Sequence, residues 1–434
     1  MKAPPKPSFN EAFKFWLKLG FISFGGPAGQ IAIMHEFLVE KKKWISDSRF
    51  LHALNYCMVL PGPEAQQLAT YIGWLLHGVR GGLVAGILFI LPSIFILLGL
   101  SIAYVSFGKL VWVAALFYGL KPAIVAIIIL AMIKIGKKSL LTPFHYVLAG
   151  VSFICIFFFN ISFPLIILGS SLVSLLALKI YPSMLTSSKA SIKSDANETG
   201  YYLNKFSAPV HDGLDAGSIV SKIGIGVILW IIPFVLIFVL SGNQFWITLN
   251  VFFTKAAFVT FGGAYAVLPY VAQESVEKFH WLSQYEMIDG MALGESTPGP
   301  LIMILVFVGF MAGYNVYNGS IAAGTAGLLA TTFYTFLPCF LFILIGAPII
   351  EKTKENQKLK AILSIITAAV VGVVLNLTLY FGRAVVFPKG LDFSPEWFAV
   401  VSILISFVAL HRFKVNMILW IGISAMAGLV YSFF

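Results

Sequence analysis

The chain has 434 residues, of which 59% are hydrophobic, 15% aromatic and only 11% charged, with a formal net charge of +11. Soluble domains carry about 25% charged residues, so a chain this long with so few cannot clothe itself in a water-compatible surface. It reads as an all-α polytopic membrane protein. The positive balance would suggest nucleic acid in a soluble domain, but the basic residues gather in short loops, as the positive-inside rule expects, and no nucleic-acid partner is predicted. Cys57, Cys155 and Cys339 lie in apolar runs at unrelated spacings, which gives neither a disulfide framework nor a metal pattern.

The opening stretch MKAPPKPSFNEAFKFWLKLGF has charges inside its apolar run and no small-residue cleavage site, so it is expected to be mature protein. A helix crossing ~30 Å of hydrocarbon needs about 20 residues. On that measure thirteen apolar segments are predicted: 9–35, 50–77, 82–106, 110–134, 143–160 and 161–179, then 219–241, then 246–271, 287–312, 318–347, 360–382, 395–410 and 415–434. The expected organisation is a first membrane repeat (1–180), a cytoplasmic polar linker (181–218), a central connecting transmembrane helix (219–241) and a second, inverted membrane repeat (242–434). His211, Asp212 and Asp215 in the linker resemble a metal cluster only superficially, because a polar connector does not fix ligand geometry. The sequon at Asn197 reads as a chance match on a cytoplasmic loop. No cofactor or metal is expected.

The repeat rests on residue identities. A shift of 237 places Phe15–Pro63 on Phe252–Pro300 without a gap, matching Lys18 with Lys255, Phe24-Gly25-Gly26 with Phe261-Gly262-Gly263, Trp44 with Trp281, and Pro61-Gly62-Pro63 with Pro298-Gly299-Pro300. Its orientation follows from charge. Glu40–Arg49 carries four basic residues, whereas Glu274–Asp289 carries Lys278 against Glu274, Glu277, Glu286 and Asp289. The first loop is therefore predicted inside and the second outside, the odd segment at 219–241 supplying the inversion.

Each repeat is interrupted twice. About 16 residues precede the first glycine pair, an arm of only ~24 Å. Gly-Gly-Pro permits a sharp turn because Gly accepts positive φ and Pro opens a helix, so half-length arms meeting at each turn predict broken or re-entrant helices. Non-helical backbone at membrane depth survives only when buried in protein or lining a wet cavity. Helix starts there present N–H groups that favour anions. The predicted anion site comprises Gly25, Gly26, Pro27, Ala28, Gly29 and Gln30; Pro61, Gly62, Pro63, Glu64, Gln66 and Gln67; Gly262, Gly263 and Ala264; and Thr297, Pro298, Gly299 and Pro300. Gln30, Gln66 and Gln67 offer neutral donors. Lys18 and Lys255 read either as pathway charges or as cations snorkelling to the interface. Glu64 reads as a proton-coupling carboxylate or as a charge partner for a helix start, and Glu295 is a weaker coupling candidate because it precedes its break. Lys121 and Arg383 are further cations that suit either a pathway or an interfacial anchor.

The run FISFGGPAGQIA with LPGPEAQQLATYIGW, followed by VTFGGAYAVLPY and GESTPGPL, resembles the chromate ion transporter family in its long, two-domain form, over nearly the whole chain. The resemblance implies a secondary transporter of the inner (plasma) membrane that exports chromate and confers resistance to it, with sulfate as a close analogue. It implies as partners a small inorganic oxyanion and membrane lipid, with a homodimer as the candidate assembly. The second copy departs from the first: Ala264 stands where Pro27 does, and no Glu-Ala-Gln-Gln run follows Pro300. The halves are therefore expected to contribute unequally. An anion channel, or a transporter of another oxyanion such as sulfate, is the alternative. An enzyme and a nucleotide-driven pump are disfavoured, since GGPAGQ lacks the Gly-Lys-Ser/Thr of a phosphate-binding loop.

Overall fold

The computed structural model describes residues 4–180, 200–204, 216–350 and 357–433, and these form helices joined by short turns. His211, Asp212 and Asp215 and the chance sequon at Asn197 lie outside the described residues. The first half runs α1 (Phe9–Ile22), α2 (Gly26–His35), a π-helical turn (Glu36–Lys41), α3 (Asp47–Cys57), α4 (Glu64–Phe107), α5 (Val111–Ser139), α6 (Pro143–Phe159) and α7 (Phe163–Ile180). After α8 (Ala216–Ser241) the order recurs: α9 (Gln244–Val259), α10 (Ala264–Gln273), a π-helical turn (Glu274–Lys278), α11 (Gln284–Glu295), α12 (Ile304–Val316), α13 (Ile321–Ile350), α14 (Gln357–Val386), α15 (Trp397–His411) and α16 (Met417–Tyr431). Among the described residues five helices contain a stretch long and apolar enough to cross a membrane: Glu64–Phe107, Val111–Ser139, Ile219–Val239, Ile321–Ala347 and Ile362–Val386. The chain is an all-α multi-pass membrane protein. Val220, Ile228, Leu236 and Val239 along α8 are exposed.

All four predicted interruptions are present, and they divide segments expected as single runs. The segment at 9–35 becomes α1 and α2, that at 246–271 becomes α9 and α10, and that at 287–312 becomes α11 and α12. Each product is shorter than the ~20 residues a crossing requires. The boundary expected between 50–77 and 82–106 is different: α4 continues through it with a kink at His77 (φ −137°, ψ 22°) and Gly78 (φ 66°, ψ −157°). The corresponding place in the second half is the open turn between α12 and α13.

The repeat extends to backbone detail at the shift of 237. Ser23 and Thr260 leave their helices at φ −79°, ψ 74° and φ −78°, ψ 74°. Lys43 and His280 both adopt φ 52°. Ser46 and Ser283 cap α3 and α11 alike, each accepting a hydrogen bond from the N–H three residues on. Packing between the halves is reciprocal: α5 lies on α15 and α16, while α14 lies on α6 and α7, and α4 meets its own counterpart α13. Contacts in which each copy offers the same surface to the other are those of a two-fold relation. A second register, shifted by 246, relates Leu91-Pro92-Ser93 to Leu337-Pro338-Cys339. The nine-residue difference between the two registers, which arises between Pro300 and Leu337, hides it from an ungapped comparison.

Residues 200–204 are held against the basic loop of the first half. Tyr202 N–H donates to Lys43 O (3.1 Å), Leu203 N–H to Trp44 O (2.9 Å) and Ser46 N–H to Leu203 O (2.8 Å), forming a parallel bridge between Ile45 and Leu203. Arg49 adds a bond to Asn204 O at 2.8 Å. This end of the linker therefore lies on the same side of the molecule as Lys41–Lys43.

Candidate functional site at the helix breaks

Each Pro-Gly-Pro turn joins the Gly-Gly break of the opposite half. Gly62 N–H donates to Thr260 O at 2.8 Å, and Gly299 N–H donates to Ser23 O at 2.7 Å. The two bonds are equivalents under the repeat. Around Gly62 the neighbours are Gln67 and Cys339 of α13, and around Gly299 they are Ser93 and Phe89 of α4. Ser93 Oγ also donates to Pro298 O. Because α4 and α13 pack on each other, the four breaks gather around one helix pair.

Local sequence accounts for the turns. Gly25 (φ 86°), Gly62 (φ 127°), Gly262 (φ 81°) and Gly299 (φ 101°) all occupy the left-handed half of backbone space, which residues with a Cβ adopt at a cost. Pro27 lies in the first turn of α2, and Pro63 precedes the first residue of α4, so neither removes a helical hydrogen bond.

The helices that lead into the breaks and those that leave them differ in capping. Helices α1, α3, α9 and α11 begin with Ser8, Ser46, Asn243 and Ser283, whose side chains accept from the first turn. The starts that follow the breaks have no side-chain cap: Gly25 before α2, Pro63 before α4, Gly263 before α10, and Pro300 before the 3-10 turn Leu301–Met303 that opens α12. Uncapped first turns keep free N–H donors and a partial positive charge.

The three glutamines are fully buried, yet their donors are used. Gln30 Nε2 donates to Gly299 O (2.5 Å) and Ser23 O (3.3 Å), Gln67 Nε2 to Pro61 O (2.7 Å), and Gln66 Nε2 to Thr70 Oγ1 (3.2 Å). What remains unpartnered is an acceptor, Oε1, on all three. Gln30 and Gln67 therefore brace the turns, whereas Gln66 is tied within α4. Gln30→Leu leaves Gly299 O without its side-chain donor, which costs about 1–3 kcal/mol. The expected result is a lower melting temperature in detergent, with the membrane level of protein retained.

The remaining candidates distribute as follows. Gly25 and Ala28 are exposed, and Gly26, Pro27 and Gly29 half-buried, whereas Pro61, Gly62, Pro63, Gly263, Ala264, Thr297, Pro298, Gly299 and Pro300 are buried; Gly262 is half-buried. Glu64 is half-buried as the first residue of α4, where a carboxylate suits the helix dipole. Glu295 is buried and accepts from Tyr265 Oη at 2.5 Å, one residue beyond Ala264. Lys18 and Lys255 are both on exposed faces, Lys18 lying 5.4 Å from the centre of the Phe37 ring. The structure does not bring them to the breaks. Arg383 lines a cavity of about 700 Å³ with Gln273, Glu277 and Asn376, and Lys121 lines one of about 250 Å³; neither cavity touches a motif residue.

Sequence reading missed Ser93, Cys339, Tyr265 and the pair formed by Asp289 with Lys121 (3.7 Å). The Leu-Pro repeat at a shift of 246 carries the signal for Ser93 and Cys339. Asp289 read as a loop charge, but it is buried in α11.

Comparison with known proteins agrees with this architecture. The chain is 29% identical to a "Probable chromate transport protein" of Synechococcus elongatus over 98% of its own length and 96% of that protein's. It is 27% identical to a "Chromate transport protein" of Cupriavidus metallidurans (87% and 84% covered) and 29% identical to one of Pseudomonas aeruginosa (94% and 92% covered). No solved structure matches the chain. The family model described as "Chromate transporter" matches residues 10–175 and 247–429, one block for each half and broken at the linker and α8. The chain belongs to the chromate transporter family.

Proposed function

We propose that this protein is a secondary transporter that exports chromate, and accepts sulfate-like divalent oxyanions, across the cytoplasmic membrane. The observation that carries this reading is the set of four uncapped helix starts at the interlocked breaks, two from each half. Backbone N–H arrays of this kind suit tetrahedral oxyanions, which need many donors and no defined side-chain geometry. The glycine turns let donors approach a ligand closely, and the bracing glutamines hold the turns still. Alternating access follows from the two-fold relation: with the halves inverted in the membrane, exchange of their conformations moves the opening from one side to the other. An inside-negative potential of 100 mV favours outward movement of a dianion by about 4.6 kcal/mol, which agrees with efflux.

The test is uptake of labelled chromate and sulfate into inverted membrane vesicles, with and without a proton gradient. Wild-type vesicles are expected to accumulate both anions. Gly25→Leu is expected to lower the initial rate at least tenfold. The position has φ 86°, and a Cβ there has its nearest neighbour 4.0 Å away, so the change acts through backbone strain at the start of α2 of about 1–3 kcal/mol. Absence of a chromate signal in wild type, or a signal untouched by Gly25→Leu, overturns the proposal. Flux that follows voltage alone, without saturation or counter-substrate exchange, assigns a channel instead.

A further inference from the structure

Asp289 is 5% exposed in α11, the arm that leads to the second Pro-Gly-Pro turn. Tyr104 Oη of α4 donates to its Oδ2 at 2.9 Å. Lys121 Nζ of α5 lies 3.7 Å from Oδ1, and that oxygen has no hydrogen bond. A carboxylate has room for about four hydrogen bonds, and charge-assisted N–H···O bonds close to about 2.7–2.9 Å. A pair kept for stability alone, in surroundings this buried, needs the closer and more complete arrangement to offset desolvation.

The pair also has no symmetry-related copy. At the shift of 237 Asp289 corresponds to His52, and at the shift of 246, which matches Ala123 with Ala369 and Val125 with Val371, Lys121 corresponds to Thr367. The related positions carry neither an aspartate nor a lysine, so the repeat by itself does not call for the pair. Asp289 belongs to the second repeat, and Lys121 and Tyr104 to the first. Their contact spans the interface across which the halves must move.

Lys121 opens onto the cavity of about 250 Å³, whose other polar lining is Tyr118, Tyr285 and Glu396. Its ammonium lies 4.8 Å from the centre of the Tyr285 ring. The cavity thus reaches from the half-buried carboxylate of Glu396 to Lys121, the cationic member of the ion pair. The charged and titratable groups that face Asp289 are Tyr104 from α4, Lys121 from α5 and Glu286 one turn earlier on α11 itself; α12 and the described part of α14 contribute none.

We propose that Asp289 is a proton-binding site of the transport cycle, with Lys121 as the counter-ion that protonation leaves uncovered for the oxyanion. The inference rests on the transporter reading above. A proton arriving from water through the cavity forms an O–H bond on Oδ1, Lys121 stays an ammonium, and the pair changes from neutral to singly positive. The uncovered ammonium attracts an anion. By reciprocity an anion held there raises the proton affinity of Asp289 equally, so proton and oxyanion bind cooperatively.

The experiment uses the full chain in proteoliposomes, with an uncoupler present so that no gradient biases the result. Half-saturation by sulfate and by chromate is measured across pH. Wild type is expected to bind more tightly as pH falls. Asp289→Asn is expected to bind equally at every pH, Asp289→Glu to restore the dependence, and Lys121→Gln to weaken binding at least tenfold throughout. Tyr104→Phe, which keeps both charges but removes a donor to the carboxylate, is expected to move the profile to higher pH. In parallel, infrared spectroscopy of purified protein follows the protonated-carboxyl stretch, which is expected to titrate in wild type and to lose one component in Asp289→Asn. Wild-type pH dependence retained in Asp289→Asn, or an unchanged infrared titration, overturns the proposal. If Asp289→Asn does not accumulate, an unshifted profile in Tyr104→Phe overturns it. Failure of wild type to move either anion sinks the transporter reading, and the infrared titration then still decides whether Asp289 takes up a proton.

Discussion

Gly62→Leu is expected to abolish transport and to leave little folded protein in the membrane. Gly62 sits at φ 127°, and a Cβ there falls 2.7 Å from both Cys339 Sγ and Gln67 Nε2. The first term is backbone strain of about 1–3 kcal/mol. The second is overpacking of a buried site, about 1–3 kcal/mol more. Neither neighbour can retreat freely: Gln67 Nε2 is bonded to Pro61 O at 2.7 Å, and Cys339 is fully buried in α13. Displacing the turn also breaks the bond from Gly62 N–H to Thr260 O, one of the two equivalent links between the halves. The contrast with Gly25→Leu is diagnostic. Gly25 is exposed, so that variant is expected to fold and fail in transport, whereas Gly62→Leu is expected to fail in both. Fluorescence-detected size-exclusion chromatography measures the folded fraction; a Gly62→Leu peak of wild-type height and melting temperature would show that the turn tolerates a side chain and is no structural link.

The second large effect is all-or-none. In a background lacking Cys57, Cys155 and Cys339, a cysteine at Lys42 is expected to react with an impermeant thiol reagent from the cytoplasmic side alone, and one at Lys278 from the outside alone. Both lysines are accessible, with side chains 46% and 64% exposed. Lys278 corresponds to Lys41, the neighbour of Lys42, so the two lie within one position of equivalence, close to the π-helical turn that ends α2 or α10. A parallel repeat places the two on one side, and an inverted repeat on opposite sides. The two-fold contacts between the halves do not choose between these, because an axis along the membrane normal and one within its plane produce the same pairings. Charge chooses: each lysine or arginine near the anionic cytoplasmic surface is worth about 1 kcal/mol, and of the run Lys41–Lys43 only Lys41 has a lysine counterpart, Lys278. The bridge from Ile45 to Leu203 adds that residues 200–204 share the side of Lys42, so a cysteine at Tyr201 is expected to label with the Lys42 site. Labelling of Lys42 and Lys278 from one side removes the inversion and, with it, alternating access by exchange of the two halves.

Much of this protein is decided along the chain. Few charges and long apolar runs force helices, because a backbone in hydrocarbon must satisfy its hydrogen bonds within the segment. Glycine at positive φ and proline at helix starts place all four breaks, and the shift of 237 carries their equivalence down to matching caps and left-handed residues. These are local effects of residue type, so they are legible without neighbours. Tertiary structure alone decided which break meets which. The chain order sets FGG beside the Pro-Gly-Pro of its own half, yet the hydrogen bonds join Ser23 to Gly299 and Gly62 to Thr260 across the halves, since swapped pairing satisfies both turns at once around α4 and α13. Only packing turned the donors of Gln30 and Gln67 inward to the turns. Burial likewise turned Asp289 from one of several loop acids into a carboxylate facing Lys121, because an ion pair between α5 and α11 depends on distance in space, which residue spacing does not record.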